Sequence, residues 1–412
     1  MQKIKRINLS DINTPSALIT NGMFDNCIAL EQIDFPQSTM KTVSLEYMFN
    51  NCSNLVSLDL SNMDMSETYG LSMAFFMCKK LKTIIFPSNF NFSKIRLAQC
   101  AFQGCEALVG LNTTYWDTST CTGMESMFQD CKSLTEIDVS NWNTSKVSGM
   151  AFMFYGASDI KELDMSNWDV SQVTTLDHFA AHAFINFKGV ENWKTTSLVV
   201  VNAALHSCTN EELDLSGWDV SKVQYFCQMF ENSPNLKRIK GLNGWDASAG
   251  LGFDGMFERC YKLEEVDLSS FNTSKAKNGL MSSYNGHKTA TLQNMFLSCN
   301  NLKKVTVGPN FAINGDGTNT AAANKAILPT PSADYIEGAD GNWYTFIGDS
   351  YAPNAMKDKT AETYYASPIM VFDADVIVKN GSLIDIAKAI REKNGTTTKY
   401  TPAQFGEAIR AL

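Results

Sequence analysis

The apolar residues of this chain recur with a period of about 26 residues. Aromatic or aliphatic residues return at eleven positions, and nine of the ten steps between them are 25 to 27 residues long. The last step is 39 residues, which indicates an insertion at about 278–290. A fixed period of this length predicts a solenoid, because each unit completes the core of its neighbour. The ladder consists of Phe24, Phe49, Phe75, Phe102, Phe128, Phe154, Phe179, Leu205, Phe230, Phe257 and Phe296.

Two further ladders share this period and fix the register of the repeats. A small residue, usually cysteine, lies three residues after each ladder position, and a large apolar residue lies about fourteen residues after it. The cysteine ladder consists of Cys27, Cys52, Cys78, Cys105, Cys131, Cys208, Cys260 and Cys299, with Ala157, His182 and Ser233 at the other positions. The aromatic ladder consists of Met63, Phe90, Trp116, Trp142, Trp168, Trp193, Trp218, Trp245 and Phe271.

Each repeat is expected to contain one short strand and one turn. The segment 55–61 alternates with period two, which predicts a strand with Leu58 and Leu60 facing the core and Asp59 facing outward. The S-N-W-D-x-S stretch predicts a turn, because Asn, Asp and Ser hydrogen-bond to local backbone. The V-x-x-M-x-x-M-F stretch predicts a short helical or 3₁₀ turn. We therefore expect a parallel β-solenoid of about eleven rungs, on the order of 50 Å long at ~4.8 Å per rung.

These repeats resemble the BspA-like leucine-rich-repeat family, whose 26-residue unit has the form MF-x-x-C-x-x-L-x-x-L-D-L-S-x-W-D-T-S-x-V-x-x-M. The unit MFQDCKSLTEIDVSNWNTSKVSGM, which starts at Met127, is among the best formed. The resemblance covers about residues 22–309 and implies a leucine-rich-repeat-like solenoid, as found in bacterial adhesins, protist surface proteins and phage-encoded proteins. Residues 338–366 resemble the short hairpin segment that often closes such arrays. We assign 1–21 to an N-terminal cap and 310–375 to a linker and C-terminal cap.

The chain from residue 376 onward has a helical pattern instead. Apolar residues fall on one face of each of two short predicted helices, which Asn394 and Gly395 separate. Because a helical hairpin of this size is too small to be stable alone, we expect residues 376–412 to dock or to oligomerise. The string GSLIDIAKAIREKNGTTTKYTPAQFGEAIRAL resembles a short module of tailed-phage structural proteins, which implies attachment to other virion proteins. The apolar residues that define this predicted attachment and assembly module are Leu383, Ile386, Ile390, Phe405 and Ile409.

Composition and charge narrow the possible functions. The chain has 412 residues, 44% of them hydrophobic and 19% charged, and a formal net charge of -9. No basic run is present, so we expect no nucleic-acid partner. No apolar stretch approaches the roughly 20 residues of a membrane span, and the first residues lack the apolar region of a secretory signal. Eleven cysteines is an odd number, which indicates reduced thiols and folding in the cytosol.

Aspartates recur on the outward side of the predicted strands. Like charges on neighbouring strands repel each other, and either calcium or hydrogen bonds from the following serines would compensate them. Solvated, locally hydrogen-bonded carboxylates are the simpler interpretation. The strand face is nevertheless where solenoids usually bind their partners. The candidate binding residues are Asp59, Asp138, Asp164, Asp214 and Asp267.

The remaining ladders are interpreted as core. A surface of stacked tryptophans would suit carbohydrate binding. Met63 and Phe90, however, take the tryptophan position in their own repeats, which favours a buried spine. No C-x-x-C pair is present, so we interpret the ladder cysteines as buried turn residues and not as zinc ligands or disulfide partners. Asp177, His178 and His182 suggest a catalytic or metal site, because the two histidines are four residues apart. His182 takes a cysteine-ladder position, however, and is expected to be buried. The cysteines that lie off the ladder are expected to be more exposed; they are Cys100, Cys121 and Cys227.

Three functions are compatible with these patterns. The first is a phage virion protein, as tail fibre, baseplate accessory or head decoration, which recognises a host cell-surface protein or glycan. The second is a bacterial cell-surface adhesin of the BspA-like type. The third, an enzyme, lacks support, because no H-E-x-x-H, G-x-S-x-G, P-loop or G-x-G-x-x-G motif is present. We expect no catalytic residue, cofactor or metal, and a homo-oligomer is compatible with the C-terminal module.

Overall fold

The repeats stack into a parallel β-solenoid in the computed structural model. The structure describes residues 3–11, 18–36, 40–88, 90, 92–276, 292–313, 326–345, 349–356 and 361–368, together with the backbone of 282–284 and 287–289. We number the repeats 1 to 11 by the ladder residue that each contains, from Phe24 to Phe296. Short strands and turns make up almost all of the described chain, as the sequence predicts.

Most strands are only two to five residues long. Three short 3₁₀ segments cover Phe92–Lys94, Val190–Asn192 and Leu242–Gly244. The strands are β1 (Arg6–Asn8), β2 (Leu18–Ile19), β3 (Gln32–Asp34), β4 (Met40–Ser44), β5 (Ser57–Asp59), β6 (Met63–Asp64), β7 (Thr83–Ile85), β8 (Gly110–Leu111), β9 (Glu136–Ile137), β10 (Glu162–Asp164), β11 (Asn186–Lys188), β12 (Glu212–Asp214), β13 (Arg238–Lys240), β14 (Glu265–Leu268), β15 (Ser282–Tyr284), β16 (His287–Thr289), β17 (Lys304–Val307), β18 (Trp343–Thr345), β19 (Ser350–Tyr351) and β20 (Glu362–Tyr365).

Neighbouring repeats are joined by parallel pairing along two lines. Along the first line, the strands of repeats 2 to 9 pair two by two and in register, as in Leu163 with Phe187 and Leu213 with Ile239. A second ladder of single bridges runs through nine consecutive repeats, from Ser44 to Gly252. One further repeat stacks at each end, because Ile19 pairs with Ser44 and the Phe257 N–H donates to the Met295 carbonyl at 2.9 Å. The inward side chain of each strand thereby lies over the equivalent side chain of the next repeat.

A six-residue turn segment precedes each strand, and its geometry corrects one prediction. Its N–H groups donate alternately to the carbonyl three residues back and to a carbonyl of the next repeat. Met48 N, for example, donates to Leu45 O (2.9 Å), and Phe49 N donates to Ala74 O (2.9 Å). Two residues per segment, four apart, have positive φ, such as Tyr47 at 57° and Asn51 at 55°. A right-handed helix does not contain such residues. The prediction of a helical or 3₁₀ turn is therefore wrong, and these segments are consecutive β-turns.

Two aromatic stacks fill the core. Phe102 and Phe128 stack with ring centroids 5.5 Å apart, and Trp142 and Trp168 stack at 6.3 Å with an angle of 4° between their planes. Both ladders are buried throughout, including Met63 and Phe90. The interpretation of the tryptophans as a buried spine is confirmed, and the sugar-binding alternative fails because the rings are not accessible.

The cysteine ladder is buried as predicted, and the structure gives it a specific role. The Cys52 thiol donates to the Phe24 carbonyl of the preceding repeat at 3.2 Å, and Cys131 donates to Phe102 in the same way at 3.1 Å. The thiol thus fits a tight core position and also gives a buried carbonyl a second donor. All eleven cysteines belong to the described residues, and none of them forms a disulfide. Off the ladder, Cys100 is half-buried, whereas Cys121 and Cys227 are buried, contrary to expectation.

Repeat 7 departs from the register read from the sequence. The positive φ values of His178 and His182 match those of Phe152 and Gly156, which places Ala180 rather than Phe179 over Phe154. Phe179 lies one position earlier and meets Phe154 edge-on, with the ring planes at 86°. Ala183, rather than His182, therefore fills the cysteine position. His182 points outward and is exposed, so its predicted burial is wrong.

Strands added after the repeats pair with the last repeat. Strand β17 pairs in parallel with β14 and antiparallel with β20, and β18 and β19 extend this sheet. The predicted insertion contains an antiparallel hairpin of β15 and β16. The capping role of residues 310–375 remains a prediction. Residues 369–412 lie outside the described residues, and so do the predicted helical hairpin and its Leu383, Ile386, Ile390, Phe405 and Ile409.

Candidate binding surface

The six-residue turn segments of successive repeats together form one surface, which we call the turn face. Four positions of each repeat belong to it: the two residues of positive φ and the residue before each. In repeat 2 these are Glu46, Tyr47, Asn50 and Asn51. The backbone hydrogen bonds between repeats hold these positions in columns, because each segment repeats the geometry of the last. In repeats 7 to 9 some of these side chains are buried, among them Asp177, His206 and Cys227.

The turn face differs from the core in how much it varies between repeats. The inward positions of the same segments hold Leu, Met, Phe, Ala and Cys almost throughout, since close packing restricts them. The outward positions hold Ser72, Met73, Phe76 and Met77 in repeat 3, and quite different residues elsewhere. Repeat 5 has Glu125, Ser126, Gln129 and Asp130 at these positions. Repeat 9 has Cys227, Gln228, Glu231 and Asn232, of which Gln228 and Asn232 are accessible and the other two are buried. Where these side chains are accessible, packing does not dictate them, so this face is free to carry a specific binding surface.

Five aromatic rings cluster on the turn face of repeats 6 to 8, in what we call the ring cluster. The rings of Phe152 and His178 stack at 4.9 Å with planes 8° apart, and Tyr155 meets His182 edge-on at 5.4 Å. The His182 and His206 rings lie 4.5 Å apart; His182 is exposed and His206 is buried. The cluster contains three of the four histidines of the chain.

Buried polar groups support the ring cluster from below and beside it. Asp177 is 1% exposed, and its Oδ1 lies 3.0 Å from His178 Nδ1. The Ser207 hydroxyl lies 2.7 Å from His206 Nδ1 and accepts a hydrogen bond from Asn232. In repeat 9, Glu231 pairs with Arg259 at 3.2 Å, and burial followed by the nearby Glu258 raises its pKa. Hydrogen bonds as well as side-chain packing therefore hold the rings of His178 and His206.

His206 has a structural role that affects how stability depends on pH. Its Nδ1 accepts from the His182 N–H at 3.4 Å, where other repeats use a backbone carbonyl. Burial, followed by the charges of His182 and His178, lowers the pKa of His206 to about 3. Since this pKa is lower in the folded protein than in the unfolded chain, His206 stabilises the fold above about pH 6.5. That stabilisation is lost as the pH falls towards 3.

The substitution His206→Gln is expected to remove part of the acid sensitivity of the fold. Glutamine keeps an acceptor but does not titrate, so the wild type should lose roughly 2–3 kcal/mol more stability than the variant between pH 7 and pH 4. Urea denaturation of both proteins at both pH values measures this difference. The same pH dependence in both proteins would show that His206 is not the titrating group.

The aspartates predicted from the sequence do not lie on the turn face. They lie on a second surface, which is formed by the outward side chains of the strands and which we call the strand face. Each aspartate Oδ1 accepts the backbone N–H two residues on, as Ser166 N donates to Asp164 (3.0 Å) and Ser216 N to Asp214 (3.0 Å). Hydrogen bonds from these serines lower the pKa of Asp164 and Asp214. The same turn forms at the other three candidates, Asp59, Asp138 and Asp267.

These aspartates are not gathered into one site. Asp138 and Asp164 lie on consecutive repeats, but the register partner of Asp164 is Lys188 and that of Asp214 is Lys240. The repulsion expected from stacked carboxylates is thus compensated by lysines and serines. Among the described residues, no group of three or more His, Cys, Asp and Glu is arranged to hold a metal ion. The assignment of these aspartates as a binding surface remains a prediction.

Within the part of the chain that the structure describes, no helix has the length and apolarity that a membrane crossing requires.

Comparison with protein families gives two matches. The family described as "Mycoplasma protein of unknown function, DUF285" matches residues 69–185, 99–209, 178–284 and 201–307. These ranges together span residues 69 to 307, which is 239 of the 412 residues (307 − 69 + 1). The family described as "BspA type Leucine rich repeat region" matches residues 3–109 in six copies, which confirms the BspA-like resemblance. No curated protein matches the chain.

Solved structures include several similar proteins. A leucine rich cell surface protein from Faecalibacterium prausnitzii A2-165 is 14% identical with a TM-score of 0.30, over 74% of this chain and 81% of that protein. A leucine-rich repeat protein from Bacteroides ovatus is 17% identical with a TM-score of 0.29, over 65% and 79%. An LRR protein from Leptospira interrogans is 11% identical with a TM-score of 0.23, over 59% and 73%. The fold itself is defined by the strand pairing described above.

Proposed function

Because the chain belongs to the family described as "Mycoplasma protein of unknown function, DUF285", and carries BspA-type leucine rich repeats over residues 3–109, we propose that it is a non-enzymatic recognition scaffold. Its turn face contacts a protein or glycan on a host-cell surface. The observation that carries this proposal is the contrast between inward positions that hardly change and outward positions that differ from repeat to repeat.

The ring cluster is the centre of the proposed contact. Aromatic rings offer flat apolar faces with polar edges, which suit both sugar rings and peptide side chains. The neighbouring Asn232, Gln228 and Arg259 add hydrogen-bond donors beside those faces. A rigid stack of repeats holds these groups in fixed columns, so little conformational entropy is lost when a partner binds.

Removing two rings tests this proposal. The double variant Phe152→Ala/Tyr155→Ala should bind intact host cells at least tenfold more weakly than the wild type, measured with the fluorescently labelled full chain. Tyr115→Ala is the matched control, because Tyr115 is 83% exposed but lies away from the turn face. Equal loss in both variants, or no loss in either, would contradict the assignment of the turn face.

We further propose that residues 376–412 attach the scaffold to a phage virion, where other virion proteins would be its partners. The support is the C-terminal sequence and its resemblance to a module of tailed-phage structural proteins. The alternative is a bacterial cell-surface adhesin of the BspA-like type, which the repeats support equally well. Mass spectrometry and immunogold labelling of purified particles separate the two, since labelled particles support the virion and label confined to bacterial cells supports the adhesin.

A further inference from the structure

The strand face of repeats 6 to 11 carries rows of charge whose sign alternates from one repeat to the next. In each row, the outward residues of one strand and the residue before it contribute their charges. The rows are Lys161, Glu162 and Asp164 in repeat 6, Lys188 in repeat 7, Glu211, Glu212 and Asp214 in repeat 8, Lys237, Arg238 and Lys240 in repeat 9, Glu264, Glu265 and Asp267 in repeat 10, and Lys303 and Lys304 in repeat 11.

Salt bridges connect neighbouring rows along this face. Arg238 pairs with Glu212 at 3.3 Å on one side and with Glu265 at 3.1 Å on the other. Lys237 pairs with Glu211 at 2.8 Å. These side chains nevertheless remain open to solvent, with 47% of Arg238 and 67% of Glu211 exposed. The lateral bridges therefore stabilise the register of the repeats and leave the outer side of each charge free for a second molecule.

We propose that two copies of the chain pair through this strand face, about a twofold axis that runs parallel to the strands between repeats 8 and 9. Such an axis reverses the order of the repeats but keeps the direction of the strands. Repeat 8 then faces repeat 9 of the second copy, repeat 7 faces repeat 10, and repeat 6 faces repeat 11. Each row then meets a row of opposite net charge, because six rows of alternating net charge become complementary when their order is reversed. Within these rows, Lys161 is the exception, since it faces Lys303 of the second copy.

The complementarity extends to single columns. Because the rotation axis follows the strands, Glu211 faces Lys237 of the second copy, Glu212 faces Arg238, and Asp214 faces Lys240. These columns already match in register within one chain, where β12 pairs with β13. The opposite charges that lie side by side within one chain therefore also face each other across the interface.

Other arrangements of the two faces are electrostatically poorer. A twofold axis along the solenoid would place each row against its own copy, and like charges facing each other repel. An axis between repeats 7 and 8 would place Glu136 and Asp138 of repeat 5 against the acidic row of repeat 10. The axis between repeats 8 and 9 is the one that places all six rows against rows of opposite charge.

Sedimentation velocity of the full chain tests the pairing. An interface of opposed surface charges weakens with salt, because ions screen it. We expect a concentration-dependent dimer at about 50 mM NaCl, with a dissociation constant at least tenfold larger at about 500 mM NaCl. A monomer at both salt concentrations, or a dimer that salt does not affect, would overturn the proposal.

Charge reversal on the two surfaces locates the interface. Arg238→Glu should weaken the dimer at least tenfold, whereas Lys146→Glu should not change it. Lys146 is an exposed lysine in the turn that follows Trp142, away from the strand face, so it matches the charge change without touching the rows. Circular dichroism checks that both variants fold. Equal weakening by both would show an effect of net charge and not of this face.

A charge swap separates contacts between copies from contacts within one chain. Glu211→Lys/Lys237→Glu keeps the pair of opposite charges within the chain, and it also restores opposite charges between two swapped copies. A mixed dimer with the wild type instead places lysine against lysine and glutamate against glutamate. We expect the swapped protein to pair with itself and to form at least fivefold fewer mixed dimers than random mixing gives. Random mixing would overturn the proposed axis.

Discussion

Replacing Gly189 with alanine is expected to lower the free energy of unfolding by roughly 3 kcal/mol or more. Gly189 has a φ of 86°, in the left-handed region that residues with a side chain seldom adopt. A Cβ atom there would lie 2.2 Å from the backbone nitrogen of Ser166 and 2.3 Å from its Cα. The obstacle is backbone of the preceding repeat, so no side-chain rotation relieves it. Repeats 6 and 7 would have to separate, and the stacked rings between them would lose contact.

Two other glycines provide matched comparisons for this variant. Gly241 has the same geometry two repeats later, with a φ of 92° and a Cβ position 2.4 Å from the Ser216 nitrogen. Gly241→Ala should therefore lower the free energy of unfolding by about as much. Gly244 has nothing within 4 Å of its Cβ position, and Gly244→Ala should change stability by no more than about 1 kcal/mol. Urea denaturation of the three variants, followed by circular dichroism, measures the differences. Equal effects at Gly189 and Gly244 would contradict the close approach of the two backbones.

The sequence predicts the core of this fold well because the same demand recurs in every repeat. Positions that must fill the space between two neighbours, such as those of Phe128 and Trp142, admit few residue types, and the period is therefore visible. The left-handed positions are not visible in this way. Tyr47, Cys100 and Phe152 occupy the first of them with φ between 55° and 58°. Their conformation is imposed by hydrogen bonds between repeats and not by their own preferences.

The candidate surface is harder to predict for a related reason. The aspartates stand out in the sequence because they recur, but they recur because each accepts a backbone N–H two residues on, as Asp138 does from Ser140. A residue that recurs at the same position of each repeat thus indicates a structural requirement. The ring cluster is irregular, and Phe152 and His178 meet only because equivalent positions of repeats 6 and 7 stack. The alternating charge of residues such as Glu211 and Lys237 is readable from the sequence once the exact register is known.

Repeat 7 shows where a sequence ladder fails, because a ladder does not distinguish two adjacent inward positions. Both Phe179 and Ala180 are buried, and the apolar pattern is satisfied by either register. The backbone places Ala180 at the regular phenylalanine position. Phe179 compensates from the neighbouring position, where its ring meets those of Phe154, Trp168 and Trp193 edge-on. The large ring is retained in this layer of the core, although its position and orientation change.

Phe179→Ala is therefore expected to lower the free energy of unfolding by about 3–5 kcal/mol, because two adjacent alanines would leave a cavity between repeats 6 and 8. The double variant Phe179→Ala/Ala180→Phe returns a ring to the regular position above Phe154, and it should recover more than half of that loss. Urea denaturation of both variants measures the recovery. If the double variant were no more stable than Phe179→Ala, the position of Ala180 could not accept a ring. The shifted register of repeat 7 would then be a requirement of its backbone and not a choice between two packings.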